Sequence, residues 1–267
     1  QWPKSGALAL LLEQGARAGP MLEAADAATG GAVSRALAAA EFTGKRGQTA
    51  TVLAPGAGLS RVVAVGLGKL VDLADRHAEA AGGKLAAALA REPAASVATD
   101  GLTGPQAASV ALGAVLRGYR FDRYRTKETA ADKPKLARLA VLTEDAGGAK
   151  AAWAGLRAVA EGVFVSRDLV SEPPNVLTPA EMAERCRKLE SLGLKVEVLG
   201  PKEMSKLGFG ALLGVAMGSA CEPRMVVMHW NGSGAKGKKA AKPLAFIGKG
   251  VTFDTGGISI KPAGGME

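Results

Sequence analysis

The sequence has few cysteines, histidines and aromatic residues, and it has no long hydrophobic run. Only two cysteines, Cys186 and Cys221, occur in 267 residues, which excludes a disulfide framework and a CxxC metal pair and predicts a reducing compartment. The histidines, His77 and His229, have no second His or Cys at ligand spacing, so we interpret both as structural residues. No run of about 18 apolar residues exists, which excludes a membrane-spanning helix. Aromatic residues make up 4% of the chain, so its core must consist mainly of Ala, Leu and Val.

The composition is otherwise that of a globular protein with a basic excess. Hydrophobic residues make up 48% and charged residues 22% of the chain, and the formal net charge is +9, a balance that excludes a disordered tail. The excess is uneven, because residues 201–267 hold nine Lys or Arg against four Asp or Glu. This region is therefore either a nucleic-acid patch or a surface whose acidic partners lie in sequence outside the chain.

Apolar runs bounded by turn residues alternate with helical patterns over roughly the first 145 residues. This alternation predicts an α/β domain with a mainly parallel sheet. The predicted strands cover residues 7–12, 51–54, 62–66, 95–98 and 136–142, and the predicted helices cover 32–42, 75–91 and 104–119. The first run, which follows Lys4, faintly resembles a signal peptide, but it is short and closed by Glu13, which favours a buried strand.

A long helical pattern over residues 149–170 connects this region to a second α/β pattern. Ser-Glu-Pro-Pro at 171–174 ends it, because proline cannot continue a helix. Thr178, Pro179 and Glu181 then predict a helix start with a capping box, and the helix runs to about residue 191. Strands are predicted at 195–199, 225–229 and 244–247.

The most informative segment covers residues 246–262, where an apolar run leads into polar residues isolated among glycines. Lys249, Asp254 and Lys261 are the only charged residues between Pro243 and Glu267. Glycines at 248, 250, 256 and 257 allow the backbone to curl and to approach a ligand closely. From spacing alone, a buried Lys–Asp ion pair that stabilises a bend explains the segment as well as a binding site does.

The order of residues over 248–262, Gly-Lys-Gly-Val-Thr-Phe-Asp-Thr-Gly-Gly-Ile-Ser-Ile-Lys-Pro, resembles the active-site signature of the cytosolic leucyl aminopeptidase family of two-metal peptidases. The segments 119–124 and 167–179, and Gly218-Ser219 with Pro223-Arg224, resemble the same family. The likeness is strong from about residue 119 onward and weak before it. It implies an N-terminal macro-domain-like α/β domain over 1–146, a connecting helix over 147–172 and the first part of an α/β peptidase domain over 173–267.

The resemblance also implies a role for each charged residue of the segment. Lys249 would bind metal through a neutral amine, which two dications must favour because a free lysine has a pKa of about 10.4. Asp254 would bridge both metals, and Lys261 would remain charged, polarise the substrate carbonyl and stabilise the oxyanion. The metals would activate a shared water, and zinc, manganese or magnesium suits oxygen and amine ligands.

The family resemblance further implies peptide substrates with a free N-terminus, a cytoplasmic location and a homo-oligomer, a hexamer built as a dimer of trimers. The signature of the family continues to further carboxylate ligands and to an arginine that holds bicarbonate, whereas this sequence stops at Glu267. We therefore expect this sequence to be part of a longer protein, and we expect a fragment that ends at Glu267 to have no metal-dependent activity. The alternative is a binding module, without peptidase activity, for nucleic acid or an ADP-ribose-like ligand. The macro-domain-like fold of the first domain and the basic net charge are both compatible with such a module.

Overall fold

The chain forms two compact units, Gln1–Arg167 and Asp168–Glu267. The computed structural model describes residues 6–15, 19–232, 242–256 and 259–265. The longest helix, α5 (Ala146–Ser171), contains the boundary between the units. It confirms the long helix predicted over 149–170 and begins one turn earlier, where Gly148 N–H donates to the Asp145 carboxylate at 2.8 Å. None of the helices in the described ranges combines the length and the apolarity that a membrane crossing requires.

The first unit is built on a mainly parallel five-stranded sheet, as the sequence predicts. Its strands are β1 (Gly6–Glu13), β2 (Thr49–Gly56), β3 (Leu59–Gly68), β4 (Ala94–Ala98) and β5 (Arg138–Leu142). Their order across the sheet is β2-β3-β1-β4-β5, and only the β2–β3 pair is antiparallel. The run at 7–12 is thus the central strand, in which Leu8 lies opposite Val62 of β3 and Ser96 of β4.

Both faces of the central strand are buried, which explains why its sequence is apolar without alternation. Leu8 and Leu10 point into a cluster with Leu22 and Val33, which lie on helices α1 (Pro20–Ala28) and α2 (Ala32–Ala39). Ala7, Ala9 and Leu11 point the other way, into a cluster completed by α3 (Asp75–Ala88) and α4 (Gly104–Gly118). The first unit is therefore a three-layer α/β/α sandwich.

Helices α3 and α4 pack together through glycines on both surfaces. A Cβ on Gly82 would lie 2.0 Å from the carbonyl oxygen of Val110, and a Cβ on Gly113 would lie 1.8 Å from that of Glu79. Cβ atoms essentially never approach that closely, so only glycine permits this helix separation. At the start of α3, His77 Nδ1 accepts from the Ala74 N–H at 3.2 Å, so this histidine helps to cap the helix.

The second unit contains short helices and a two-stranded antiparallel sheet. Its elements after α5 are α6 (Pro179–Arg187), a 3-10 helix (Lys188–Leu192), β6 (Lys195–Leu199), α7 (Pro201–Lys206), α8 (Gly210–Ala216), β7 (Met225–His229) and a 3-10 turn (Ala263–Gly265). The strand predictions at 195–199 and 225–229 are correct to the residue. The predicted capping box is half formed, because Thr178 accepts from the Glu181 N–H at 3.3 Å while the Glu181 carboxylate pairs with Arg185.

The strand predicted at 244–247 is wrong, since residues 242–256 have neither helix nor strand. Leu244, Phe246 and Ile247 are 87%, 93% and 99% exposed. A strand needs a neighbour to pair its backbone groups, and no described residue provides one here. Apolar composition alone therefore led to the wrong prediction.

Candidate active site

The structure brings Asp254 and Lys261 together at the ends of a short loop. Lys261 Nζ donates to Asp254 Oδ1 at 2.7 Å, and the Gly256 N–H donates to the same oxygen at 2.8 Å. The Lys261 N–H donates to the Thr255 carbonyl at 2.8 Å, which closes the backbone of the loop. A Lys–Asp pair and a bend are both present, but the two side chains are 46% and 55% exposed, so the pair is not the buried one that the alternative interpretation of this segment required.

Gly256 makes this loop possible. Its φ of +90° lies in the region that side chains disfavour, and a Cβ on it would lie 2.1 Å from the carbonyl oxygen of Ser259. Glycine alone fits both conditions. The signature glycine at 257, with Ile258, lies outside the described residues.

Positive charge dominates the electrostatics of this loop. The hydrogen bond from Lys261 is the main reason why the pKa of Asp254 lies below its usual value, and the Gly256 N–H acts in the same direction. Lys249 contributes a smaller electrostatic effect to the same pKa, which indicates that its ammonium group lies within electrostatic range of the carboxylate. Asp254 is therefore held as a carboxylate, the form that can bind a metal ion.

The three predicted residues differ in how firmly they are held. Asp254 and Lys261 hold each other, whereas Lys249 is exposed in a segment without regular structure. The described residues contain no group of three or more His, Cys, Asp or Glu side chains that could hold a metal ion. Within the described residues, the predicted donors are therefore the Asp254 carboxylate and, in its neutral form, the Lys249 amine. These suit a hard divalent cation, but they form only part of the ligand set that two cations need.

A buried carboxylate, Glu172, connects the chain just after α5 to α6 within the second unit, and it was not among the predicted site residues. The Glu172 side chain is fully buried and accepts from Arg185 of α6 at 2.9 Å, and Arg185 also donates to Glu181 at 2.9 Å. Both hydrogen bonds raise the pKa of Arg185, and the bond to Glu181 has the larger effect. The signal in the sequence was an acid placed directly before Pro173-Pro174, where the chain turns into the next helix.

The segment 119–124 has a structural role within the first unit. The rings of Tyr119 and Phe164 lie 5.3 Å apart, and the Arg167 guanidinium lies 5.4 Å from the Tyr119 ring centroid. Arg120 pairs with Glu128 at 2.6 Å. These contacts attach the loop after α4 to α5.

Comparison with known proteins matches both parts of the chain to one family. Residues 9–128 match the model described as the cytosol aminopeptidase family, N-terminal domain, and residues 164–267 match that family's catalytic domain. A probable cytosol aminopeptidase of Caulobacter vibrioides is 46% identical over 265 residues, which cover 98% of this chain and 53% of the relative. One from Rhizobium etli is 47% identical over 270 residues, with 98% and 53% covered.

Solved structures agree with this result. A mutant of tomato leucine aminopeptidase matches with a TM-score of 0.73 and 28% identity, covering 85% of this chain and 48% of that one. The bottromycin maturation enzyme BotP in complex with Mn matches with a TM-score of 0.71 and 29% identity, covering 97% and 50%. The fold is thus the α/β architecture of the leucine aminopeptidase structures.

Among the proteins with this α/β architecture, the chain belongs to the cytosol aminopeptidase family. The chain spans about half the length of the curated relatives it matches. These matches give no support to the alternative of a nucleic-acid or ADP-ribose-binding module.

Proposed function

We propose that this chain forms part of a metal-dependent aminopeptidase that hydrolyses the N-terminal residue, Leu among others, from peptides. The observation that carries the proposal is the segment 248–262, which lies inside the match to the family's catalytic domain and places Asp254 against Lys261. We also propose the domain limits 1–146, 147–172 and 173–267, a cytoplasmic location and a hexameric assembly. Relatives named cytosol aminopeptidase support the location.

In this mechanism Lys249 and Asp254 contribute ligands to two divalent cations, zinc or manganese or magnesium. The manganese complex of BotP supports the use of a divalent metal. When bound, such cations supply an activated water and a positive field for the substrate amine. Bicarbonate would bind through residues outside this chain.

Lys261 has the role that the structure supports most directly. Its ammonium group is half exposed and hydrogen-bonded to one carboxylate oxygen, so it can exchange that partner for a substrate carbonyl without leaving the loop. A fixed positive charge aimed at the carbonyl oxygen stabilises the oxyanion that forms as water attacks. Asp254 thereby also orients Lys261 before substrate binds.

The test uses the natural gene product with whatever sequence flanks these residues. Its intact mass under denaturing conditions comes first, because a mass near 27.0 kDa is that of this chain alone. Hydrolysis of leucine p-nitroanilide is then measured after chelation and after readdition of each metal. We expect Lys261→Ala to lower kcat by about 100- to 1,000-fold with metal content unchanged, and Asp254→Ala to lower bound metal.

Lys202→Ala is the matched control, because Lys202 is an exposed lysine on α7 of the same unit. It should retain both turnover and metal. Wild-type turnover in Lys261→Ala would remove the proposed role of this lysine, and full metal occupancy in Asp254→Ala would remove bridging. Peptidase activity that survives complete metal removal would contradict the proposed function itself.

A further inference from the structure

The first unit contains a cavity of about 760 Å³ that takes no part in the proposed peptidase chemistry. It lies beside the edge strand β5, between α3, α4 and the first turns of α5. Its floor is made of small apolar side chains, among them Ala87, Ala107 and Ala111, and Trp153 lies on the α5 side. The volume falls within the range of about 300–1,000 Å³ that small-molecule sites occupy.

The cavity continues one of the two hydrophobic clusters of the unit. Leu136, Leu139 and Val141 pack against the cluster under α3 and α4, but they are only partly buried, and all three also line the cavity. Apolar surface that continues an existing core favours an occupant with an apolar body, because its burial releases water from both surfaces.

The charge of the lining has one sign. Arg117, Arg120, Arg138 and Lys150 line the cavity, and no Asp or Glu is among the described lining residues. Arg120 is paired with Glu128, whereas the other three cations form no ion pair with any described residue. An apolar body with a negatively charged end is therefore the chemistry that complements this cavity.

We propose that this cavity binds a small amphipathic carboxylate, with its apolar part against the alanine floor and its carboxylate beside Arg138 and Lys150. The apolar body supplies the contact area and the cations select the charged end. The proposed site uses residues of the first unit only and is independent of Lys249, Asp254 and Lys261.

The test is titration calorimetry of the natural gene product with decanoate, and with decanol as the neutral probe of the same chain length. We expect one decanoate per chain and at least tenfold weaker binding of decanol. Lys150→Gln and Arg138→Gln should each weaken decanoate binding several-fold, and Ala111→Leu, which adds bulk inside the cavity on a helix that tolerates Leu, should abolish it. Lys84→Gln is the matched control, because Lys84 is an exposed lysine on α3 outside the lining.

Several results would overturn the proposal. They are an absence of decanoate binding, equal affinity for decanol, or equal weakening by Lys84→Gln and Lys150→Gln. Thermal unfolding of Ala111→Leu shows whether that variant remains folded. If it does not, the decanoate-to-decanol ratio and the two charge variants decide the matter alone.

Discussion

The contact between α3 and α4 allows two neighbouring glycines to be changed with opposite expected results. A Cβ on Gly82 would lie 2.0 Å from the Val110 carbonyl oxygen, whereas a Cβ on Gly83 would lie 3.7 Å from its nearest neighbour, the Gly113 carbonyl oxygen. The second distance is an ordinary van der Waals contact. At the first, the helices must separate by about 1 Å or more, because their interface is packed as densely as an organic crystal.

The magnitudes follow from two opposing contributions. Replacing glycine by alanine within a helix stabilises it by about 1 kcal/mol, and Gly83→Ala should gain most of this. Overpacking costs about 1–3 kcal/mol, and the cost at Gly82 lies at the upper end because the obstacle is backbone. We therefore expect Gly82→Ala to be destabilised by about 2 kcal/mol and the two variants to differ by about 3 kcal/mol.

Thermal unfolding, with hydrogen exchange to locate the change, measures this difference. In a protein of this size about 1 kcal/mol shifts Tm by about 2–4 °C, so Gly82→Ala should lower Tm by about 4–8 °C and Gly83→Ala should raise it slightly. Amides of α3 and α4 should lose protection only in Gly82→Ala. Gly155→Ala in α5, with no atom within 4 Å of the added Cβ, is the control for helix propensity. Equal stability of Gly82→Ala and Gly83→Ala would refute the close approach of the helices.

Two further predictions concern the second unit. Iodoacetamide at neutral pH should label Cys221 and spare Cys186, because Cys221 is exposed whereas burial raises the pKa of the Cys186 thiol and keeps it protonated until higher pH; comparable labelling of both in the folded protein would contradict this. Glu172→Gln should cost about 1–3 kcal/mol of unfolding free energy, because it leaves Arg185 without its buried counter-ion. The control Glu184→Gln removes an exposed pairing partner and should change stability by less than about 0.5 kcal/mol. Equal effects of the two glutamine variants in urea unfolding would show that burial of Glu172 is unimportant.

The sequence allowed a helix or strand to be located where its hydrophobic pattern matches the side chains that are buried in the fold. All five strands of the first sheet were located. For β1 and β3 the reason is burial on both faces, which requires a nearly uninterrupted apolar run. The edge strands β2 and β5 are less buried and were located from short apolar runs bounded by turn residues. Helices α1, α7 and α8 were missed. For α7 the signal was present, since Pro201 occupies the first helical position and the Glu203 carboxylate accepts from the Gly200 N–H at 3.0 Å.

For the candidate site, the residues themselves allowed two interpretations and the family resemblance chose between them. The Asp254–Lys261 pair lies seven positions apart in sequence, and its geometry depends on Gly256, whose positive φ no hydrophobic pattern reveals. The position of Lys249 was less predictable, because a segment without strand partners is not fixed by local preference. The roles assigned to all three residues stay predictions.

The order of strands in the first sheet has a consequence for the synthesis of the protein. The central strand β1 precedes its partner β3 by roughly 50 residues and β4 by still more. At a translation rate of about 5–20 residues per second, β1 leaves the ribosome several seconds before either neighbour exists. During that interval its apolar run has no partner within the sheet and resembles the segments that chaperones bind and that aggregate when exposed. The strand that later lies deepest in the core is thus the part of this unit most in need of protection while the chain is being made.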